Sequence, residues 1–232
     1  MPNDLGNRMR SFYEDRGRVY LTRRTPAILR IDGRAFHTFT KRFKRPFDNT
    51  FQTCMDNTAY GLIKQIQGAK MAYVQSDEIS ILLSDYDELN SAAWFDYNVQ
   101  KMCSVAASMA TAEFNDLMAG VSGSPTKVTF DCRVFNIPYE EITNYFLWRA
   151  KDWHRNSVQM YARAYFSHQQ LHGKSQSEIH EMLHEIHKNW AVDVPIRFRN
   201  GIYFLASGEP YFLNPTYREI QDKVLQAFGI PF

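Results

Sequence analysis

The chain has 232 residues, of which 44% are hydrophobic, 15% aromatic and 22% charged, and its formal net charge is +2. This length and composition are typical of a soluble globular protein with a substantial core, and so many aromatic residues exclude an intrinsically disordered chain. No apolar run approaches the roughly 20 residues of a transmembrane helix, and the polar first ten residues predict no signal peptide. We therefore expect a cytoplasmic protein without a membrane partner.

The positive charge is concentrated near the N-terminus. Residues 1–50 carry 12 Lys/Arg against 5 Asp/Glu, a net of +7, and residues 51–130 carry 4 against 9, a net of −5. A local basic surface attracts polyanions such as nucleic acid or phosphate chains, although a basic surface that only contacts solvent is the alternative. Three cysteines, Cys54, Cys103 and Cys132, have no paired spacing, which favours core positions in a reducing compartment over disulfides or a zinc site.

Hydrophobic periodicity predicts the elements before residue 137. Runs of β-branched and aliphatic residues predict strands, and apolar residues at steps of three and four predict amphipathic helices. Gly33 ends the first strand, and Gly68 follows the first helix. In chain order we predict a strand over 25–33, a helix over 49–66, strands over 70–75 and 79–83 joined into a hairpin, a helix over 91–115, a loop over 120–125 and a strand over 128–134.

The resulting order, β-α-β-β-α-β, is that of the ferredoxin-like fold. It predicts an α+β domain over residues 1–136, with an N-terminal helix and one antiparallel sheet that carries two helices on one face. Residues 137–232 are expected to form a helical C-terminal extension that packs with this domain as one unit. Its predicted parts are helical residues 139–171, a helix over 177–190, a short strand or hairpin around 194–206 and a helix over 217–228.

This element order brings carboxylates together. In the ferredoxin-like fold the first and third strands are antiparallel neighbours, so Asp32 at the end of the first lies beside Asp77 and Glu78 at the start of the third. Unpaired carboxylates so close would repel each other and raise each other's pKa, and a divalent cation removes that conflict. Magnesium prefers oxygen ligands and leaves positions for water and phosphate, and a pair of such ions promotes phosphoryl or nucleotidyl transfer.

Groups suited to a triphosphate follow the first strand. Gly33 lets the backbone approach a ligand closely, and residues 34–37 can direct amide N–H groups at phosphate oxygens. Each group alone is equally typical of a solvated surface. The loop that follows carries cations that can neutralise phosphate charge: Lys41, Arg42, Lys44 and Arg45.

Four segments are informative in combination: Arg30-Ile31-Asp32-Gly33-Arg34-Ala35-Phe36-His37, Tyr73-Val74-Gln75-Ser76-Asp77-Glu78, Phe130-Asp131-Cys132-Arg133-Val134 and Trp148-Arg149-Ala150-Lys151-Asp152-Trp153-His154-Arg155-Asn156-Ser157. Together and in this order they resemble the tRNA(His) guanylyltransferase family, which includes the guanylyltransferase-like 3′-to-5′ polymerases. The resemblance covers roughly residues 5–190.

The resemblance implies a polymerase-type palm built on the ferredoxin-like fold and an activity that adds nucleotides to the 5′ end of tRNA. A 5′-monophosphate is first activated with a nucleoside triphosphate. The 3′-hydroxyl of the incoming nucleotide then displaces the activating group or, in later steps, pyrophosphate. Two Mg²⁺ ions are implied as cofactors, ATP and GTP as substrates, tRNA as the partner and a homotetramer as the assembly.

The resemblance also implies roles for individual residues. Asp32 and Asp77 match the metal-binding carboxylates of the family, and the Gly33 carbonyl matches its backbone metal ligand. Glu78 matches an acidic residue beside the metals and is counted with the two aspartates as catalytic. The nucleotide-binding residues implied are Asp32, Gly33, Arg34, Ala35, Phe36, His37, Lys44, Arg45, Ser76 and Asp77. Those implied for RNA or a second triphosphate are Arg30, Lys101, Asp131, Arg133, His154, Asn156 and Lys174.

One segment departs from the eukaryotic guanylyltransferases. They carry His-Ile-Asn-Asn-Leu-Tyr-Asn-Thr where this chain reads His154-Arg155-Asn156-Ser157-Val158-Gln159-Met160-Tyr161, so that the His and the first Asn alone persist. The change resembles the bacterial and archaeal branch, for which the implied activity is template-directed repair of 5′-truncated tRNA. A dedicated tRNA(His) guanylyltransferase that adds one extra G is the alternative.

Other interpretations stay open. A palm-type nucleotidyltransferase or cyclase acting on free nucleotides could use the same carboxylates, and a noncatalytic RNA-binding protein would not need them. His180, His184 and His187 share a helix face that could bind a metal, but the charged residues around them favour a solvated face. Residues 174–177 suit either phosphate binding at a helix N-terminus or a helix cap.

Overall fold

A computed structural model of the chain describes residues 4–122 and 127–230. The strands are β1 Ala27–Gly33, β2 Ala69–Gln75, β3 Glu78–Leu83, β4 Phe130–Asn136, β5 Ile202–Leu205 and β6 Pro210–Tyr211. The helices are α1 Asp4–Met9, α2 Phe36–Phe39, α3 Asn49–Gln65, α4 Val99–Ser122, α5 Ile142–Ala162, α6 His168–Leu171, α7 Gln176–Glu185, α8 Trp190–Asp193, α9 Ile196–Asn200 and α10 Tyr217–Ala227. Within these residues, no helix is both long and apolar enough to cross a bilayer.

The six strands form one antiparallel sheet in the order β4-β1-β3-β2-β5-β6. The mixed helix-and-sheet architecture and the antiparallel sheet predicted from the sequence are therefore confirmed. In the sheet β1 lies between β3 and β4, with Asp32 opposite Glu78 on one side and opposite Asp131 on the other. This register positions the candidate site at one edge of the sheet.

The side chains on the two faces of the sheet belong to separate apolar clusters, because successive residues of a strand point to opposite faces. Ala27, Leu29 and Ile31 of β1 pack with α3 and α4 on one face, whereas Ile28 packs with α5 and α10 on the other. A third cluster joins the C-terminal half of α5 to α6–α9. Since Asp32 is four residues after Ile28 in the strand, its position belongs to the face that α5 covers.

Helix α4 begins eight residues later than predicted. The Asn98 side-chain oxygen accepts a hydrogen bond from the Lys101 N–H at 3.0 Å, and residues 95–97 have positive φ angles, so the chain turns there before the helix starts. The helix then continues to Ser122. The predicted loop over 120–125 therefore starts later, and its residues 123–125 lie outside the described part of the chain.

The predicted helices of the extension are shorter in the structure. Helical residues 139–171 are divided into α5 and α6. Helix α7 ends at Glu185 because His187 adopts a left-handed conformation, with φ of 57°, and the Lys188 N–H returns to the Leu183 carbonyl at 2.9 Å. This closing pattern satisfies carbonyls that a helix end leaves unpaired. Trp190, predicted in the same helix, starts α8.

The extension also contributes strands to the sheet. The segment predicted as a strand or hairpin forms α9 and then β5, which pairs with β2 so that Tyr203 lies opposite Tyr73. Gly201, between α9 and β5, has φ of 77°, and a Cβ there would lie 2.6 Å from the Tyr73 ring. The close approach of β5 to β2 thus requires glycine at this position.

Phe114 of α4 is fully buried, with its ring 5.5 Å from that of Phe36 and 5.6 Å from that of Phe130. We predict that Phe114→Ala lowers the free energy of unfolding by about 3–5 kcal/mol, because it leaves a cavity among packed rings. Urea denaturation measures the effect. Phe212, which is 45% exposed, is the control, and Phe212→Ala should cost less than about 1 kcal/mol. Equal losses in the two variants would contradict this interpretation of the core.

Candidate active site

The end of β1 is tied to the turn between β2 and β3. Gly33 donates its backbone N–H to the backbone carbonyl of Asp77 at 3.1 Å. Asp77 follows Ser76 in a two-residue turn, since Gln75 and Glu78 on either side are paired. Ser76 has φ of 48°, a conformation that is costly for a residue with a Cβ and that recurs at functional sites. This connection brings the Asp32-Gly33 and Ser76-Asp77 segments together.

Burial and neighbouring negative charges make the ionised forms of Asp32 and Asp77 unfavourable. Burial, and then the negative charge of Asp32, raises the pKa of Asp77 from its ordinary 3.8 to about 6. Burial also raises the pKa of Asp32, and the charges of Glu78 and Asp131 add to the effect. Two carboxylates in this state are stabilised by a cation between them.

The donor set at this edge fits magnesium. The oxygens available are the carboxylates of Asp32 and Asp77 and the nearby carbonyl of Gly33. Among the described residues, no three His, Cys, Asp or Glu side chains cluster tightly enough to hold a metal by themselves. Two carboxylates and a backbone carbonyl are hard oxygen ligands, and a usual magnesium site completes one or two carboxylates with water and substrate phosphates.

Glu78 is engaged in a different interaction. Its carboxylate accepts hydrogen bonds from the Nε and Nη2 atoms of Arg149 at 2.7 and 2.8 Å, and from those of Arg30 at 2.9 and 2.7 Å. The Glu78 and Arg149 side chains are each about 6% exposed. Glu78 therefore holds two guanidinium groups beside the aspartates, and the structure assigns it a positioning contact.

A cavity of about 360 Å³ opens in front of the two aspartates. It is lined by Asp32, Ser76 and Asp77 and by one stripe of α5, which includes the predicted Asn156. The sequence analysis did not predict the other residues there, which are Trp153, Gln159 and Met160 of the stripe and Arg163 directly after the helix. Their spacing of three and four residues marks one helix face, but the sequence does not say which surface that face meets.

A second pocket of about 400 Å³ adjoins the first and shares Ser76, Trp153, Met160 and Arg163 with it. Lys44 and Arg45 line it, together with His37. Aromatic side chains of residues 43, 47 and 51 supply an apolar wall. The first pocket supplies the carboxylates, and the second supplies cations and an apolar wall. Such a combination suits a nucleotide with its phosphates near the carboxylates.

The loop after Gly33 offers backbone groups more than side chains. The Arg34 N–H donates to the Thr129 carbonyl at 2.9 Å, so this amide is already engaged. The Phe36 ring is buried, and a Cβ on Gly33 would lie 2.3 Å from it. Phe36 can therefore reach a nucleotide through its backbone alone. The amides of residues 35–37 lie in the first turn of α2, where helix geometry provides no acceptor.

Some of the predicted RNA residues lie beside this edge. Arg30 is two residues before Asp32 on β1, and Arg133 is directly opposite Arg30 on β4. Asp131, opposite Asp32, is 3.8 Å from Arg133 through their charged groups. These side chains surround the aspartates on the same face of the sheet.

Other predicted residues lie elsewhere. Lys101 is in the first turn of α4, with its ammonium 5.9 Å from the Phe95 ring. The part of α4 that reaches the aspartate end of β1 is at Thr111, whose hydroxyl accepts a hydrogen bond from the Phe130 N–H. Thr111 is ten residues after Lys101, which corresponds to about 15 Å along the helix axis. This chain therefore does not bring its own Lys101 to the aspartates.

His154 and Lys174 also lie outside the aspartate cavity. His154 packs edge-on against Trp190, with ring centroids 4.6 Å apart, and burial lowers its pKa. Lys174 contacts Glu178 at 3.1 Å. Glu178 and Ser175 form a reciprocal cap at the start of α7, so the capping interpretation of residues 174–177 is the one observed.

The remaining candidate groups are not arranged for metal chemistry. His180, His184 and His187 are not part of any metal-competent cluster among the described residues. The three cysteines are free; Cys54 is buried, and Cys103 and Cys132 are partly exposed. Burial raises the pKa of all three thiols, which keeps them protonated and weakly reactive.

Comparison with known proteins gives a consistent result. The sequence model of the Thg1 family, described as tRNAHis guanylyltransferase, matches residues 6–138. A bacterial tRNA(His) guanylyltransferase (Thg1)-like protein in complex with ATP has a similar structure, with a TM-score of 0.91 and 39% identity over 97% of this chain and 99% of that chain. A bacterial protein of the same description in complex with GTP gives 0.81 and 35% over the same shares.

Curated relatives are more distant. The tRNA(His) guanylyltransferase of Debaryomyces hansenii is 32% identical over 145 residues, which are 58% of this chain and 52% of that enzyme. The chain spans about half the length of the curated guanylyltransferases that it matches.

Replacing Asp77 by the neutral amide should stabilise the metal-free protein. Because the pKa of folded Asp77 is about 6, its ionised form opposes folding above that pH, and the penalty disappears as pH falls through 6 towards 4. We predict that Asp77→Asn raises the thermal midpoint at pH 8 in chelator, by about 2–4 °C per kcal/mol of the burial and repulsion penalty removed.

Thermal unfolding with and without Mg²⁺ checks this prediction. The variant should gain little at pH 4 and should lose most of the stabilisation that Mg²⁺ gives the parent. Asp116→Asn, at an exposed position on α4, is the control and should leave the midpoint unchanged. A lower midpoint for Asp77→Asn at pH 8 would contradict the electrostatic interpretation.

Proposed function

Because this chain belongs to the tRNA(His) guanylyltransferase family, a family of nucleotidyltransferases, we propose that it adds nucleotides to the 5′ end of tRNA in the 3′-to-5′ direction. The observation that carries the proposal is the Gly33–Asp77 backbone hydrogen bond. It joins the Asp32 and Asp77 segments at the mouth of a cavity suited to a triphosphate. The bacterial proteins with similar structures bind ATP and GTP, which supports these nucleotides as substrates.

The proposed reaction has two transfers. In the first, a 5′-phosphate oxygen of tRNA attacks the α-phosphorus of ATP or GTP, and pyrophosphate leaves. In the second, the 3′-hydroxyl of an incoming nucleotide attacks the 5′-phosphorus, its proton passes to solvent, and the activating nucleoside monophosphate leaves. When a triphosphate 5′ end is extended, pyrophosphate leaves instead.

In this proposal the acidic residues would hold the metal ions and the basic residues would bind phosphates. Asp32, Asp77 and the Gly33 carbonyl would hold Mg²⁺, two ions in the full site, which supplies charge neutralisation at the attacking and leaving oxygens. Lys44 and Arg45 would bind phosphates of the activating nucleotide in the pocket that they line. Arg30 and Arg133 lie next to Asp32 on the same face of the sheet, where they would bind the 5′ end or a second triphosphate.

We propose template-directed repair of 5′-truncated tRNA as the specific activity. The support is the greater similarity to bacterial guanylyltransferase-like structures, 39% over nearly the whole chain, together with the departure of residues 154–161 from the eukaryotic segment. Addition of one extra G to tRNA(His) is the alternative, and for either activity we propose a cytoplasmic site of action.

The sheet would serve as a polymerase-type palm, and its strand order β4-β1-β3-β2 supports a ferredoxin-like arrangement. We propose that residues 137–232 pack with it as one unit, since β5 extends the sheet and α5 forms a wall of the cavity. A homotetramer is part of the proposal. The N-terminal segment carries exposed apolar residues that such an assembly would cover: Leu5, Met9, Phe12 and Tyr13.

Loss of either aspartate should abolish nucleotide addition without abolishing tRNA binding. We predict that Asp77→Ala reduces incorporation of labelled nucleotide into 5′-monophosphorylated tRNA by at least about 1,000-fold, because Mg²⁺ loses one of two carboxylates. Filter binding should show tRNA affinity within about threefold of the parent. Asp116→Ala is the matched control. Undiminished incorporation by folded Asp77→Ala would refute the catalytic assignment.

Templating is tested with a tRNA that lacks its first 5′ nucleotide and with each nucleoside triphosphate supplied separately. We predict incorporation of the nucleotide that pairs with the exposed template base, and a change in that preference when the template base is changed. Addition of G regardless of the template base would favour the dedicated guanylyltransferase. Reaction of free nucleotides with no RNA present would favour a cyclase or another nucleotidyltransferase.

A further inference from the structure

A groove of about 640 Å³ lies along a different face of α5 from the one that lines the aspartate cavity. The cavity is lined by α5 residues 153, 156, 159 and 160 and by residue 163 just after the helix, whereas the groove is lined by α5 residues 144, 147, 148, 151, 154 and 155. Gln176 at the start of α7 and Pro215 close the groove from the other elements. Its volume is within the range of small-ligand sites.

Trp148 forms an aromatic platform at this groove. Its side chain is 51% exposed, although a tryptophan in a globular protein is usually well buried. The guanidinium of Arg149 lies 4.6 Å from the ring centroid, and that of Arg30 lies 5.8 Å away. Both guanidinium groups are held by Glu78, so the ring is supported by a rigid cluster while part of its surface stays open to solvent.

The same cluster connects the platform to the proposed catalytic edge. Arg30 is two residues before Asp32 on β1, and Glu78 is paired with Asp32 across the strands. A ligand on Trp148 would therefore sit beside the position where the tRNA 5′ end reacts.

Two polar atoms at the groove lack partners. Gln176 Nε2 and His154 Nδ1 are both buried and have no hydrogen-bond partner among the described residues. Buried polar atoms are almost always hydrogen-bonded, and both residues line the groove. Either atom would gain a partner if its side chain turned towards a heterocycle bound in the groove.

The charge of the groove suits a phosphate. Lys151 and Arg155 line it, and no carboxylate does. Arg155 is already bonded to Asp152 at 2.8 Å, whereas Lys151 is exposed and forms no ion pair among the described residues. An aromatic platform with a cation beside it is the usual device for single-stranded nucleic acid.

We propose that this groove binds one unstacked nucleotide of the substrate tRNA, with its base on the Trp148 ring and its phosphate at Lys151. The inference rests on the proposed function, since it takes tRNA as the substrate. A free nucleotide has the same base-and-phosphate chemistry, and the experiment below separates the two sources. A single-stranded segment next to the reacting end is the part of a tRNA that can supply an unstacked base.

The test measures affinity for a 5′-truncated tRNA transcript, for a blunt-ended RNA hairpin and for ATP. Trp148→Ala should weaken tRNA binding by about 5- to 150-fold, the value for loss of one stacked base, and should leave ATP binding within twofold. Trp148→Phe should stay within about threefold of the parent. The blunt hairpin should bind parent and Trp148→Ala equally, because the bases next to its 5′ end are all paired and stacked and its loop lies at the far end of the stem.

Lys151→Gln gives a second measurement at an exposed position that cannot upset the core. It should weaken tRNA binding and reduce the slope of log affinity against log salt by about one. Tyr60→Ala is the matched control, since Tyr60 is a partly exposed aromatic residue on α3, across the sheet. It should leave tRNA affinity unchanged.

Unchanged tRNA affinity in Trp148→Ala and Lys151→Gln would overturn the groove assignment, as would a loss confined to ATP. An equal loss for the blunt hairpin would overturn it as well. If the parent still extends tRNA in those cases, the proposed function stands and the groove alone is refuted. A parent that neither binds nor extends tRNA refutes both.

Discussion

The candidate site depends on one backbone hydrogen bond, from the Gly33 N–H to the Asp77 carbonyl. The bond joins two segments that are 44 residues apart and that each carry an aspartate. Its geometry follows from the pairing of β1 with β3, which ends at Asp32 and Glu78. The Phe36 ring closes against Gly33 from the core side, so the backbone that carries Asp32 is fixed by packing as well as by pairing.

Holding the Asp32 and Asp77 side chains close together lowers the stability of the folded protein when both are ionised. The raised pKa values of Asp32 and Asp77 express that loss of stability. Destabilising arrangements of this kind are common at functional sites. Arg30 and Arg149 neutralise the nearby Glu78 through four hydrogen bonds. Breaking such a buried cluster by removing one partner would leave an uncompensated charge.

Helix α5 organises the surface around these carboxylates. One face packs on the sheet, a second lines the aspartate cavity, and a third lines the groove at Trp148. Arg149 reaches inward from this helix to Glu78, while the adjacent Trp148 remains exposed. A single helix therefore connects the core, the catalytic edge and the proposed RNA groove.

The sequence alone predicts β1, α3, β2, β3, α4 and β4 and the juxtaposition of Asp32 with residues 77 and 78, because hydrophobic periodicity is local and the order of elements follows the chain. Helix ends were less predictable: Asn98 and His187 set them through capping and a left-handed turn, which apolar periodicity does not register. The tertiary contacts show that Glu78 binds two arginines, that Phe36 is a core ring and that Trp153, Gln159, Met160 and Arg163 line the cavity. The Arg149 contact of Glu78 and the lining of the cavity depend on which face of α5 meets the sheet, whereas the burial of Phe36 depends on the packing of α3 and α4 on the other face. Both kinds of contact join residues distant in sequence, so no local pattern contains them.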